Sequence, residues 1–315
     1  MAFSLAVYHQ TVPNKKNLEK TQMLEFFGAG AKSCGDNVIN VNDHRIINSD
    51  IALIQGWVTD DIQRPHLKLR NDVINRQLTK NRVVVTADSN LFLYADVKNS
   101  LHYLRYSFNG IFPNTGNYFS NRVDSTRWSK IAKNLNITVK DYRNNGNHIL
   151  VCLQRNSGWS MGSLTVVEWA TSTISNIRQY TDRPIVVRLH PGDQHSKTYL
   201  PALKAASYQL KFEFSNNADI RDDLRNCWAV VNYNSSPTIA ASIEGIPVFV
   251  TDPDRSQSRD IANLNLADIE HPTMPDRTAW LQRLSMCHWN FNELRSGEAW
   301  GHMRQFVIDS TLGIA

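Results

Sequence analysis

The stretch Asn226–Thr251, NCWAVVNYNSSPTIAASIEGIPVFVT, decides how this chain folds. Its WAVVNY run is apolar enough for a buried strand, and Ser235 or Ser236 followed by Pro237 has the form of an N-cap and a first helical residue. Thr238–Glu244 then reads as a short helix stopped by Gly245, and IPVFVT as the next strand. A strand, a helix and a strand in so short a span form the repeating unit of a parallel sheet. The small residues of the first turn open a helix at the carboxyl end of a strand. Open α/β sheets bind ligands there, and the free N–H groups of a helix start attract anions such as a diphosphate.

Working outward, 315 residues are long for one core and comfortable for two domains. With 42% hydrophobic, 20% charged and 10% aromatic residues, the composition is that of an ordinary globular protein. No apolar run approaches the roughly 18 residues of a membrane span, and the N-terminus lacks the basic-then-apolar order of a signal peptide. The expected location is therefore cytoplasmic, with no membrane span. Cys34, Cys152, Cys227 and Cys287 are scattered without CxxC or Cys/His spacing, which points to reduced, mostly buried thiols rather than zinc or disulfides.

The first half predicts strands at Phe3–Tyr8, Val38–Val41, Ile51–Val58 and in RVVVTAD, ending at Asp88, with helices after the first and third. The glycine-rich GAGAKSCG follows a helix and precedes a strand, the reverse of a phosphate loop, and reads as helix termination and turn. From Tyr103 to Arg143 the alternation breaks down into a long aromatic and basic connector. A second domain starts at His148 with HILVCLQR, the loop NSGWSMG, a helix over Leu164–Tyr180 and the strand of RPIVVRLHPGD. Helices over Asp276–Val307 close the chain. The pattern predicts an α/β protein of two Rossmann-like doubly wound domains, 1–147 and 148–315, facing a cleft, with C-terminal helices packed at the end. Gln154–Trp159, Arg188–Pro191 and Asn234–Thr238 all fall at strand ends of the second domain.

The segment NSSPTIAASIEGIPV resembles the donor site in the C-terminal domain of GT-B glycosyltransferases, especially capsule-polysaccharide-type sugar transferases, and RLHP is similar to a run in the same enzymes. The resemblance implies a nucleotide diphosphate sugar, UDP-linked, as co-substrate, with no other cofactor. It places Ser235, Ser236 and Thr238 on phosphate and Glu244 on ribose; Gln154, Arg155, Trp159 and Asn234, at strand ends of the same domain, are the further donor-binding candidates. Arg188 as a bidentate fork and His190 as a protonated donor would hold the diphosphate leaving group, although a structural role is open for both. The loops RYSFNGIFPNTGNYF and LQRNSGWSM, with the terminal WNFNELRSGEAW, also resemble bacteriophage glycosyltransferases that decorate hydroxymethylated pyrimidines, such as 5-hydroxymethylcytosine, in phage DNA. In that case the location is the cytoplasm of an infected cell.

Charge bears on the acceptor. Residues 1–147 carry 19 Lys and Arg against 12 Asp and Glu, whereas 148–315 carry 15 against 17. Since the first domain of GT-B enzymes usually binds the acceptor, its basicity implies an anionic partner, and DNA fits. Trp57, Arg105, Tyr106, Tyr118, Arg122, Arg127 and Trp128 are the acceptor-binding candidates, with the aromatics available to stack on a flipped base. A base to take the acceptor proton must come from strand ends of the first domain: Asp88 first, then His9 and, last, Asp50. Asp88 is also open to a role as a turn cap. The lack of a DxD motif argues against a metal-bound diphosphate, since Asp252-Pro253-Asp254 sits after a late strand. Two rivals stand beside DNA modification: a surface polysaccharide transferase, and a non-enzymatic DNA-binding protein on a transferase scaffold.

Overall fold

The computed structural model describes residues 2–13, 18–58, 63–92, 103–116, 123–155, 161–193 and 195–311. The chain divides into two compact units, Met1–Ile137 with Leu281–Ala315, and Thr138–Trp280. The first unit opens with β1 (Ser4–Tyr8), α1 (Leu18–Ser33), β2 (Asn37–Val41), β3 (Ile51–Gln55), α2 (Pro65–Thr79), β4 (Val83–Asp88), β5 (Tyr103–Phe108) and α3 (Ser125–Leu135). Strands β1 to β4 are parallel, and β5 returns antiparallel along β4. All five residues of β3 are buried, and β4 is buried up to its last residue, as expected of central strands covered on both faces. The six residues of β5 are buried as well, so YLRYSF is a strand of the sheet and not part of a connector.

The second unit holds β6 (His148–Cys152), α4 (Val166–Ile177), β7 (Ile185–Arg188), α5 (Ser196–Leu210), β8 (Phe212–Phe214), α6 (Ile220–Leu224), β9 (Cys227–Asn232), α7 (Pro237–Ile243) and β10 (Val248–Val250). Its sheet runs β10-β9-β6-β7-β8, all parallel. The chain steps outward from β6 through β7 to β8, then returns to lay β9 against the other side of β6. That reversal makes a topological switch point at the carboxyl ends of β6 and β9. Thr165 and Glu168 form a capping box that fixes where α4 starts, and α4 then buries Trp169, Ala170 and Ile174 in the core of this unit.

The end of the chain departs from the expected 148–315 domain. After α8 (Thr278–Ser285), β11 (His288–Asn290) pairs antiparallel with β5, giving the first sheet the order β11-β5-β4-β3-β1-β2. Next come α9 (Phe291–Ser296) and α10 (Glu298–Thr311). The buried carboxylate of Asp36 accepts hydrogen bonds from the Phe3 amide at 2.8 Å, the Trp300 indole at 2.6 Å and Arg304 Nε and Nη2 at 2.9 and 3.0 Å. Burial opposes its ionised form, but these donors outweigh burial and hold its carboxyl below the usual range. The GAGAKSCG string has a packing reason: a Cβ on Gly30 would stand 1.9 Å from the Leu294 carbonyl oxygen, so glycine lets α1 and α9 approach. Helix α1 runs through the first glycines of the string to Ser33, and Gly35, at φ +88°, turns the chain. With the returning segment, the first unit carries 20 Lys and Arg against 14 Asp and Glu. Among the described residues no helix is long and apolar enough to cross a membrane.

Candidate functional site

At the switch point of the second unit, Gln154 follows β6 and its Oε1 accepts the Asn234 amide at 2.8 Å. Asn234 Nδ2 in turn donates to Asp252 at 2.8 Å, so both polar side chains are buried braces joining the ends of β6, β9 and β10. Asn232 Nδ2 donates to the Ser235 carbonyl at 2.6 Å and to Ser235 Oγ at 3.1 Å, while its Oδ1 is buried without a hydrogen-bond partner. Thr238 lies fully buried, with Oγ1 donating to the Ser235 carbonyl at 3.0 Å and 2.8 Å from Ser258 Oγ. This corrects the phosphate role expected of Thr238, because its hydroxyl is spent on fixing the loop. Ser235 and Ser236 remain half-buried at the loop's edge, and Ser236 makes no side-chain cap to α7.

Arg188 is the main correction. Its Nη1 donates to Asp223 at 2.6 Å and to the Asn217 carbonyl at 2.9 Å, and its Nη2 to the Ala218 carbonyl at 2.9 Å. A guanidinium engaged this way secures the turn after β8 and is not free for a diphosphate. Arg155, by contrast, is exposed just past β6. Its Nη2 lies over Gly192, where an added Cβ would come within 2.7 Å of it and 3.3 Å of His190 Cε1. Glycine therefore keeps the backbone clear beneath the guanidinium and the imidazole. His190 Nδ1 accepts the Gly192 amide at 3.0 Å, which leaves the proton on Nε2. Burial, and then the charge of Arg155, push the His190 pKa down, so it donates as a neutral imidazole and not in the protonated form expected from sequence. Glu244 is also displaced: it caps the far end of α7, about 10 Å along the axis from the helix start, and pairs with Lys140. The ribose contact expected of it would have to be made from that end of the helix, away from the Ser235–Ser236 loop. Trp159 lies outside the described residues.

In the first unit, His9 follows β1, and its Nε2 lies 3.0 Å from Asn40 Oδ1. With that amide oxygen as acceptor, Nε2 carries the proton and Nδ1 presents the lone pair. Asp88, at the end of β4, is ion-paired with Arg105 from β5, and both side chains are mostly buried. A carboxylate held by a guanidinium is committed to it, which counts against Asp88 as the base and leaves His9 as a candidate. Asp50 lies at the opposite end of the sheet, accepting Ser4 N and Oγ at 2.8 and 2.7 Å. Burial works against its charge but these bonds prevail, and its pKa is lowered.

Most of the expected acceptor residues turn inward. Tyr106 is fully buried, donating its hydroxyl to the Met23 carbonyl at 3.3 Å. Arg127 is buried, forked onto Glu293 at 3.2 and 3.0 Å, bonded to the carbonyls of Ser285 and His288, and stacked 3.4 Å over Trp289. With Arg105 paired to Asp88, these three are internal struts and not a nucleic-acid surface. Trp128 is half-buried against Phe92, and Trp57 packs on the core while its carbonyl accepts from Arg70. Tyr118 and Arg122 lie outside the described residues. What sequence reasoning missed is the cavity beside His9, lined by Gln10, Thr21, Glu25, Asn40 and Asn42. Its signal was the polar residues at two strand ends, HQT after β1 and NVND across the end of β2.

No protein-family model matches the chain, and no curated protein matches it in sequence. Solved structures do match. The KpsC β-Kdo 2,4-transferase of Thermosulfurimonas dismutans superposes with a TM-score of 0.54 at 10% identity, covering 94% of this chain and 98% of that one. The KpsC β-Kdo 2,7-transferase of the same organism gives 0.50 at 12% identity, over 97% and 99%. At these identities the likeness shows the fold: two Rossmann-like α/β units, each on a parallel-rich sheet.

Proposed function

We propose that the protein is a glycosyltransferase that moves a sugar from a nucleotide diphosphate donor, UDP-linked, to an acceptor hydroxyl. The observation that carries this reading is the group at the ends of three adjacent strands: Arg155 after β6, His190 after β7, and Ser235 and Ser236 after β9. Arg155 is an exposed guanidinium, His190 a neutral N–H donor, and the loop bearing the serines is braced from below by Asn232 and Thr238. Preorganised donors of this kind stabilise the charge that develops on a departing diphosphate, and the reading assigns that charge to Arg155 and His190 and not to a metal. The fold shared with sugar transferases supports the same class.

In the reaction, the acceptor O–H proton passes to His9 Nδ1 as its oxygen bonds the anomeric carbon. The bond from that carbon to phosphate oxygen breaks, and the nucleoside diphosphate leaves with the electron pair. Asn40 acts as a positioning residue, holding His9 in the tautomer that accepts. The test incubates the full chain with UDP-, GDP-, TDP- and CMP-linked sugars, each with methyl glycosides, hydroxymethylcytosine DNA or unmodified DNA, and weighs the products by mass spectrometry. A sugar-mass adduct from a UDP-, GDP- or TDP-linked donor on any hydroxyl acceptor, reduced by roughly 10²–10⁴-fold in rate for His9→Ala as removal of a general base requires, supports the proposal, whereas adducts from CMP-linked sugars alone would overturn the diphosphate donor. Absence of adducts and of nucleotide release with every pair would return the fold to a binding role.

A further inference from the structure

We infer that the cavity beside His9 is the acceptor subsite and that it takes an uncharged, polyhydroxylated ring, a sugar unit and not a nucleic acid; this rests on the transferase reading above. The cavity measures about 580 Å³, within the range of small-molecule sites. It lies at the carboxyl ends of β1 and β2, the ligand-binding end of a parallel sheet. Its described walls are three carboxamides (Gln10, Asn40, Asn42), one carboxylate (Glu25), one hydroxyl (Thr21) and the His9 imidazole. Each carboxamide offers two N–H donors and one oxygen acceptor, while the carboxylate only accepts. A row of ring hydroxyls, each donating one hydrogen bond and accepting others, matches that mixture.

The same inventory argues against the alternatives. Phosphodiester binding takes its affinity from Lys and Arg, and neither type is among these described lining residues. Splayed bases are held by aromatic stacking, and the only ring in the set is His9. Two of the walls are already fixed, since Gln10 Nε2 donates to the Asn42 carbonyl at 2.6 Å and His9 Nε2 meets Asn40 at 3.0 Å. Among the described residues, His9 Nδ1, the Asn42 amide and the Glu25 carboxylate then remain for a ligand. The arrangement sets a basic nitrogen in the wall of a polyol site, which is what activation of a sugar hydroxyl needs.

Saturation-transfer NMR on the full chain tests this, with methyl β-glucopyranoside, methyl β-galactopyranoside and methyl N-acetyl-β-glucosaminide as probes. A short hydroxymethylcytosine duplex serves as competitor, and UDP binding is read in the same samples. Glu25 and Asn42 are surface residues, so Glu25→Gln and Asn42→Ala leave the fold in place. The expected result is transfer to at least one glycoside, with affinity at least tenfold weaker in Asn42→Ala and UDP affinity unchanged. No transfer to any glycoside, transfer that survives both substitutions, or displacement by the duplex would overturn the inference. Glycoside transfer without binding of any nucleotide would keep the subsite and remove the transferase reading.

Discussion

Replacing Asp36 by Ala should release the C-terminal segment from the first unit. The Asp36 side chain is 0% exposed and the Arg304 side chain 19% exposed. Truncation orphans the Trp300 indole N–H, buried at 1% exposure, and the Phe3 amide, at about 1–3 kcal/mol for each buried donor left unmade. Arg304 loses its counter-charge, but at its exposure it can turn partly to water, so that contribution is discounted. The sum is on the order of 3–5 kcal/mol, the usual cost of breaking a buried pair from one side. For a unit of this size that lowers Tm by roughly 6–20 °C. Because the folded Asp36 pKa is depressed, its contribution is full above the unfolded value near 3.8 and is lost as pH falls through the lower folded value. Urea denaturation at pH 7, followed by far-UV circular dichroism and by tryptophan fluorescence, measures the loss. A change under about 1 kcal/mol would refute the reasoning, since no buried donor would then have been left unmade.

Three further outcomes follow from buried groups. His288 donates from Nδ1 to the Leu284 carbonyl at 2.9 Å and accepts the Leu91 amide at 3.3 Å, and burial lowers its pKa to about 3. The unfolded state therefore binds the extra proton below about pH 6.5, and this group's contribution falls steadily toward pH 3; His288→Asn should flatten that slope in denaturation measured across the window. Arg188→Ala should destabilise the second unit by roughly 3–5 kcal/mol, by stranding the buried Asp223, yet leave nucleotide affinity of the folded protein unchanged; a calorimetric loss of affinity at intact stability would restore Arg188 to the site. Cys152, Cys227 and Cys287 are buried, and burial pushes the thiols of Cys227 and Cys287 up to about 12, so mass spectrometry after iodoacetamide at pH 8 should find alkylation at Cys34 before unfolding and at the others only after it.

The strands were legible wherever an apolar run meets local punctuation. RVVVTAD and WAVVNY fall on β4 and β9 within a residue, the strand expected over Ile51–Val58 starts where β3 does but stops three residues early at Gln55, and Pro237 opens α7 where expected. β11 was not, because HWN is three residues between helices and becomes a strand only by pairing with β5, far back in the chain. The same distance hid the arginines. In YLRYSFNG, Arg105 reads as a surface cation because its partner Asp88 lies on the neighbouring strand, and Arg127 meets Glu293 across 166 positions. Arg188 and Arg155 are alike in sequence, each at or just past the end of a strand of the same sheet, and only the position of Asp223 tells the buried brace from the exposed cation. Glu244 differs for a simpler reason: a helix start and a helix end seven residues apart look adjacent in a motif but lie at opposite ends of α7.

The central claim, a nucleotide diphosphate held by Arg155, His190 and the Ser235–Ser236 loop, is tested most directly by isothermal titration calorimetry of UDP, GDP, TDP and CMP into the full chain and into Arg155→Ala. The account predicts saturable binding of a diphosphate, UDP first among them. It predicts a loss of roughly 1.5–3 kcal/mol in the variant, the scale of a hydrogen bond to a charged group, or about 10- to 150-fold in Kd. Binding of equal strength in Arg155→Ala, or no heat of binding with any of the three diphosphates, whether or not CMP binds, would contradict it.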